Sequence, residues 1–267
     1  MKLAASTWSM GRATADALRL LADLSIRRVE LWYRDDLKPL RGELKSLAKE
    51  LDLELVSLHA PFGSELDISH PDGSVRARGV RRIADSMELA ADYGCECVVV
   101  HPSANYYESR AHMERAREAL LRSMEELEGA AARLGLTLLL ENMLAKPGLH
   151  RIGVSAAEIV ALIEEGGFER FAVCLDVGHS NYNGLDPAEE AKAAGRHLAS
   201  LHIDDNDGTA DSHKPPGEGT VDWGRLLRAL TGMGFSGLLV LELYGGDEPR
   251  SVLERALAYT STWPCER

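Results

Sequence analysis

Residues 201–219 read LHIDDNDGTADSHKPPGEG and place His202, Asp211 and His213 close together, directly after an apolar run. Imidazole nitrogen and carboxylate oxygen are ligands for Zn²⁺, Mn²⁺ and similar divalent ions. The same residue types recur at the ends of other apolar runs: His59 in LHAPF, His101 in VVVHPS, Glu141 in LLLEN, Asp176 and His179 in LDVGH, and Glu242 in LELY. One histidine at such a place would be an ordinary structural residue. Nine ligand-type groups on successive runs are different, because gathering unpaired polar groups around one point is unfavourable unless cations satisfy them. A divalent ion held there opens two chemistries. It can polarise a carbonyl so that the neighbouring C–H proton leaves and an enediolate forms, or, with further ions, activate water against a phosphodiester.

The elements that must position these residues follow from the hydrophobic period. Short apolar runs alternate with helical patterns along the whole chain. The strand candidates are KLAASTW from Lys2, RRVELWY from Arg27, LELVSLHA from Leu53, CVVVHPS from Cys97, TLLLEN from Thr137, FAVCLDVGH from Phe171, LASLHIDD from Leu198 and GLLVLELY from Gly237. Eight continuous apolar strands, each followed by a helical stretch, predict a parallel sheet buried on both faces and closed as a single (β/α)8 TIM barrel over residues 1–267. A doubly wound open sheet is the runner-up, but no G-x-G-x-x-G follows the first strand. In a barrel the strand C-termini form one mouth, so all nine groups would converge. Glu30, in VELWY, stays open between an acid that backs the centre and a salt-bridged barrel carboxylate. His70, His112, His150 and His197 fall in predicted loops or helices, with no expected role.

Composition narrows the class. The 267 residues are 45% hydrophobic and 27% charged, with a formal net charge of −12. That balance argues against a polyanionic partner such as nucleic acid. The arginine-rich residues 76–82 and 108–117 lie on helical patterns and read as solvated faces. No apolar run approaches the roughly 18–20 residues needed to span a bilayer. The start, MKLAASTWSM, does not read as a signal peptide. Cys95 and Cys97, two of four cysteines, fit neither a disulfide framework nor zinc knuckles and read as reduced thiols in a cytoplasmic protein.

From LELVSLHAPF to LLVLELY, the order and placement of these motifs resemble the xylose-isomerase-like TIM barrels, a superfamily that includes sugar isomerases, sugar epimerases and endonuclease IV. In the epimerase-like members, the resemblance implies one divalent ion held by Glu141, Asp176, His202 and Glu242, with His179 touching the substrate. In endonuclease IV the same four positions belong to a three-zinc cluster, whose other ligands match His59, His101, His179, Asp211 and His213. HAPF with the acidic loop behind it, and LDVGH in place of Asp-Thr-Cys-His, resemble the carbohydrate group. Many of that group also carry Asp-x-His before PPGEG. One departure stands out: several ketose epimerases have an arginine shortly after the strand-seven histidine, whereas this loop reads DDNDGTAD.

The expected function is therefore a divalent-metal-dependent sugar or sugar-phosphate isomerase/epimerase acting through an enediolate. Glu141 and Glu242, arriving from strands five and eight, would take and return the proton from opposite sides of the substrate. The cofactor would be one Mn²⁺ or Zn²⁺. The alternative is an endonuclease IV-like phosphodiesterase with two or three ions, although the loop after His59, APFGSELDISHPDG, lacks basic and intercalating residues. A barrel that binds ligand without turnover is a third reading. Tyr106 and Tyr107, in SANYYESR, could stack on a base or a sugar ring. The implied partner is a small carbohydrate, with no nucleic acid or membrane, and related barrels often form homo-oligomers.

Overall fold

The computed structural model describes residues 1–11 and 13–266. All eight apolar runs form strands: β1 Lys2–Ser6, β2 Arg28–Trp32, β3 Glu54–His59, β4 Cys97–Val100, β5 Thr137–Glu141, β6 Phe171–Asp176, β7 Leu198–Ile203 and β8 Leu238–Leu241. They pair in sequence order and close β8 onto β1 as a parallel barrel. The helices are α1 Thr14–Asp23, α2 Arg41–Glu50, α3 Gly73–Tyr93, α4 Arg110–Leu134, α5 Ala156–Gly166, α6 Val177–Tyr182, α7 Pro187–Ala194, α8 Trp223–Gly232 and α9 Pro249–Tyr259. None is long and apolar enough to cross a membrane, among the described residues.

Strand alternation sorts the side chains. On β4, Val98 and Val100 join the outer core between barrel and helices, while Val99 joins an inner cluster with Leu139 and Cys174. On β5, Leu138 and Leu140 go outward, so Leu139 and then Glu141 fall on the inner side. Ala4, Val56 and Val240 make a second inner cluster. The barrel is thus filled by small apolar residues and carries its polar groups one layer nearer the C-terminal mouth. Register shifts at Val29/Glu30 and at Val173/Cys174 pair Glu30 with Ser57 and Cys174 with Ser200, keeping polar side chains together on the inner face.

Several helix starts follow side-chain caps. Asp72 accepts from the Ser74 and Val75 amides at the head of α3, Ser109 from His112 at α4, and Ser155 from Glu158 at α5. The run FAVCLDVGH departs from expectation. Its strand stops at Asp176, and residues 177–182 turn helical, because the Asp176 carboxylate caps the His179 amide at 2.6 Å. Gly178 permits this turn: a Cβ there would lie 2.0 Å from Oδ2 of Asp204, whose Oδ1 accepts the Gly178 amide. The helical turn swings His179 back over the mouth of the barrel.

Candidate metal centre and cavity

The strands deliver the nine predicted residues to one place. His59 ends β3, Glu141 ends β5, Asp176 ends β6 and His202 lies in β7. His101 and Glu242 directly follow β4 and β8, His179 comes from α6, and Asp211 and His213 come from the loop after β7. They form three groups in which one ligand atom per residue lies within 4.8 Å of the others: His59, His101 and Glu141; Glu141, Asp176, His202 and Glu242; His179, Asp211 and His213.

Glu141 belongs to two of them. Its Oε2 lies 2.9 Å from His101 Nε2 and 3.2 Å from His59 Nε2, while its Oε1 lies 3.2 Å from His202 Nδ1. His202 Nδ1 is also 3.1 Å from Glu242 Oε2. In the third group, His179 Nε2 and His213 Nε2 lie 3.5 and 3.4 Å from Asp211 Oδ2.

The tautomers follow from the backbone. Nδ1 of His59, His179 and His213 lies 2.9, 2.7 and 2.9 Å from the carbonyls of Ala60, Asn142 and Glu242. A carbonyl only accepts, so each Nδ1 carries a proton, and each Nε2 faces the carboxylates with its remaining capacity. This anchoring is what metal-bound histidine requires. Buried Asp176 Oδ2, Glu242 Oε1 and Asp211 Oδ1 have no hydrogen-bond partner. Unpartnered carboxylate oxygens in groups that also hold histidines, with no cysteine among them, fit a divalent cation bound by nitrogen and oxygen.

The electrostatics agree with a cation-seeking site. Burial opposes a charge on His179, but the carboxylates of Asp176, Asp211 and Glu141 outweigh it and raise the imidazole to about 10. Burial pushes His101 down to about 4, against the pull of Glu141. Burial pushes Asp176 well up, and neighbouring Asp204 adds to it.

Several contributors were not foreseen. Asn142 Oδ1 accepts the Asp176 amide at 2.6 Å, and its Nδ2 donates to the Asp176 carbonyl at 3.0 Å. Asp204 is fully buried, with Oδ2 3.4 Å from His213 Nδ1. Both sit beside foreseen residues, in LLLEN and LHIDD, and adjacency was the available signal. Glu30 is fully buried, takes a 2.8 Å hydrogen bond from Ser57, and its Oε1 lies 3.3 Å from His202 Nε2, an arrangement that fits both an acid behind the centre and a salt-bridged barrel carboxylate.

Seven of the nine, all but Asp176 and His202, line a cavity of about 380 Å³. Aromatic rings cover the outer histidines: Trp32 over His59 at 4.4 Å between centroids, Phe62 over His101 at 3.9 Å, and Trp8 over His213 at 4.7 Å. Met143, Leu144 and Arg151, from the segment after β5, complete the wall. No sequence period marked these residues, because loops from distant positions meet only in the closed barrel.

The remaining histidines stay outside all three groups: His70 Nδ1 accepts the Asp72 amide, His197 pairs with Glu164, and His150 exchanges backbone bonds with Tyr107. The arginine-rich helices carry ion pairs, Arg76 with Glu126 and Arg78 with Glu65 on α3, and Arg117 with Glu165 on α4, as solvated faces should. Tyr106 and Tyr107 are not among the residues that line the cavity, and the Tyr106 ring carries Arg151 and Lys146 over it while its hydroxyl donates to the Leu144 carbonyl and accepts from Arg151.

The family described as xylose isomerase-like TIM barrel matches residues 18–263. L-ribulose 3-epimerase of Mesorhizobium japonicum is 27% identical over 248 residues, covering 90% of this chain and 80% of the relative. An uncharacterized protein of Methanocaldococcus jannaschii is 27% identical over 202 residues, covering 74% of this chain and 67% of the relative. Among solved structures, a D-tagatose 3-epimerase-like protein superposes with a TM-score of 0.84 at 22% identity, covering 98% of each chain. An L-ribulose 3-epimerase gives 0.82 at 22% identity, over 98% of this chain and 94% of the other.

Proposed function

The chain belongs to the xylose isomerase-like TIM barrel family, and from that premise we propose that it is a divalent-metal-dependent isomerase or epimerase of a sugar or sugar phosphate. The observation that carries this is that Glu141 and Glu242, from β5 and the end of β8, both approach His202 Nδ1, at 3.2 and 3.1 Å, and both line one cavity. Relatives that match most of the chain are named as sugar epimerases, L-ribulose 3-epimerase and L-ribulose-5-phosphate 3-epimerase.

A divalent ion held by Glu141, Asp176, His202 and Glu242 would supply Lewis acidity to a carbonyl and its neighbouring hydroxyl. The residues do the rest. Glu242, which lines the cavity, would take a proton from the substrate carbon. Glu141, at the end of β5, would hold the proton returned to the opposite face of the substrate. His179 presents Nε2 to the cavity, its other nitrogen tied to the Asn142 carbonyl, and orients a substrate oxygen. Trp8, Trp32 and Phe62 offer ring faces to sugar C–H groups and keep bulk water from the floor.

The test is proton exchange in deuterated water, across a panel of ketoses and their phosphates. Deuterium next to the carbonyl, abolished in Glu242→Gln, is the expected result. Turnover of a sugar without solvent exchange would instead mean a hydride shift between carbons. No turnover of any sugar by metal-loaded protein would overturn the reading.

The sharing of Glu141 between two of the three donor groups favours a second reading, a multi-metal phosphodiesterase. Three ions per chain, with hydrolysis of bis(p-nitrophenyl) phosphate and no sugar exchange, would replace the first reading with this one.

A further inference from the structure

Arg151 supplies the cavity's only arginine or lysine, among the described residues. Four contacts hold its guanidinium: Nε donates to Ser103 Oγ at 3.3 Å, Nη1 to the Tyr106 hydroxyl at 3.1 Å and the Leu144 carbonyl at 3.3 Å, and Nη2 to the Ser103 carbonyl at 2.8 Å. A guanidinium has five N–H groups, so one on Nη2 is left over. Every acceptor is neutral. No ion pair among the described residues involves Arg151.

A second cation stands beside it. Arg151 Cζ lies 4.8 Å and Lys146 Nζ 5.8 Å from the centre of the Tyr106 ring. Lys146 is exposed and likewise without an ion pair among the described residues. In a chain of net charge −12, two cations without a carboxylate partner lie against one tyrosine ring, and one of them, Arg151, lines the cavity. Neutral carbonyls orient a guanidinium without cancelling its charge, which leaves it available to an anion, and Arg is suited to phosphate and carboxylate.

We propose that Arg151, with Lys146 behind it, is a subsite for the anionic end of the substrate, a phosphate ester or a carboxylate carried on the sugar away from the reacting carbons. This rests on the sugar reading above and narrows it to acidic sugars. It also gives a counterpart to the arginine missing after His202: the cation enters from the segment after β5.

The test compares affinities, read as quenching of tryptophan fluorescence by metal-loaded protein. D-tagatose is compared with D-tagatose 6-phosphate and D-tagaturonate, and L-ribulose with its 5-phosphate. At least one anionic form should bind about tenfold more tightly than its neutral parent, the preference falling as salt rises. The phosphate and tagaturonate arms separate the two anion sources. In Arg151→Met the ratio of anionic to neutral affinity should collapse to near one, with Arg151→Lys recovering part of it. Should Arg151→Met fail to fold, exposed Lys146→Met should still lower the ratio about threefold. Equal affinities in the wild type, a preference that survives both Met variants, or no binding by any member overturns the subsite. Proton exchange on a neutral ketose without an anion preference would sink this inference and keep the epimerase. Anion-selective binding without exchange would do the reverse.

Discussion

Glu141 is the residue on which the site converges, with one oxygen toward His59 and His101 and the other toward His202. Glu141→Gln keeps the volume and removes the charge, so metal content and proton exchange should fall together, the exchange by at least about a hundredfold. Elemental analysis of the purified variant checks this; undiminished metal would show that Glu141 is no ligand. Glu30 stands at one remove, facing His202 Nε2 at 3.3 Å. Glu30→Gln should weaken metal affinity by roughly 10- to 100-fold in chelator competition, with activity returning at saturating metal. At the opposite end of the barrel, burial pushes the thiols of Cys95 and Cys97 up to about 12. Folded, they keep protons that the unfolded chain sheds near pH 8.5. Their contribution to stability is therefore complete below that pH and is lost as pH rises toward 12. Denaturant midpoints between pH 8 and 11 should fall more for the wild type than for a Cys95→Ala, Cys97→Ala double variant.

At the scale of elements, the loops that wall the cavity depend on close packing elsewhere. The 3-10 turn Ser64–Leu66 follows Phe62 and Gly63 and rests on α3 at Gly79. A Cβ at 79 would sit 2.3 Å from the Leu66 carbonyl oxygen, a backbone atom with little room to retreat. Gly79→Ala gains roughly 0.5–1 kcal/mol of helix propensity, but the overlap should cost about 1–3 kcal/mol. Thermal unfolding should show a net loss, and Phe62 should shift off His101. A stabilised variant would mean that the turn yields freely. Short α6 is a different case: the Asp176 cap and the bare Gly178 bring about a helix that the apolar pattern gives no reason to expect.

For the whole molecule, the mouth of the barrel concentrates buried carboxylates with unpartnered oxygens on Asp176, Glu242 and Asp211. A ligand that binds only the folded state raises stability by mass action, about 2.7 kcal/mol at a hundred times its dissociation constant. Chelation should therefore lower the melting temperature by about 5–10 °C, and Mn²⁺ or Zn²⁺ should restore it in a concentration-dependent way. A melting temperature indifferent to chelator and to added metal would count against any structural role for the ion.

What the sequence determined by itself was the barrel and the membership of its mouth. A period of two fixes which side of a strand a residue takes, so Leu138 and Leu140 facing the helices oblige Glu141 to face inward. The alternation of eight such runs with helices leaves few ways to close the sheet. Local pattern also showed that His70 and His112 belong elsewhere. Tertiary structure alone decided how nine donors divide into three groups, which imidazole nitrogen faces in, and that Glu30 faces His202. It alone brought Trp8, Trp32, Phe62 and Arg151 to one cavity. Those outcomes depend on distances between segments far apart in the chain, and no local period encodes such distances until the barrel has closed.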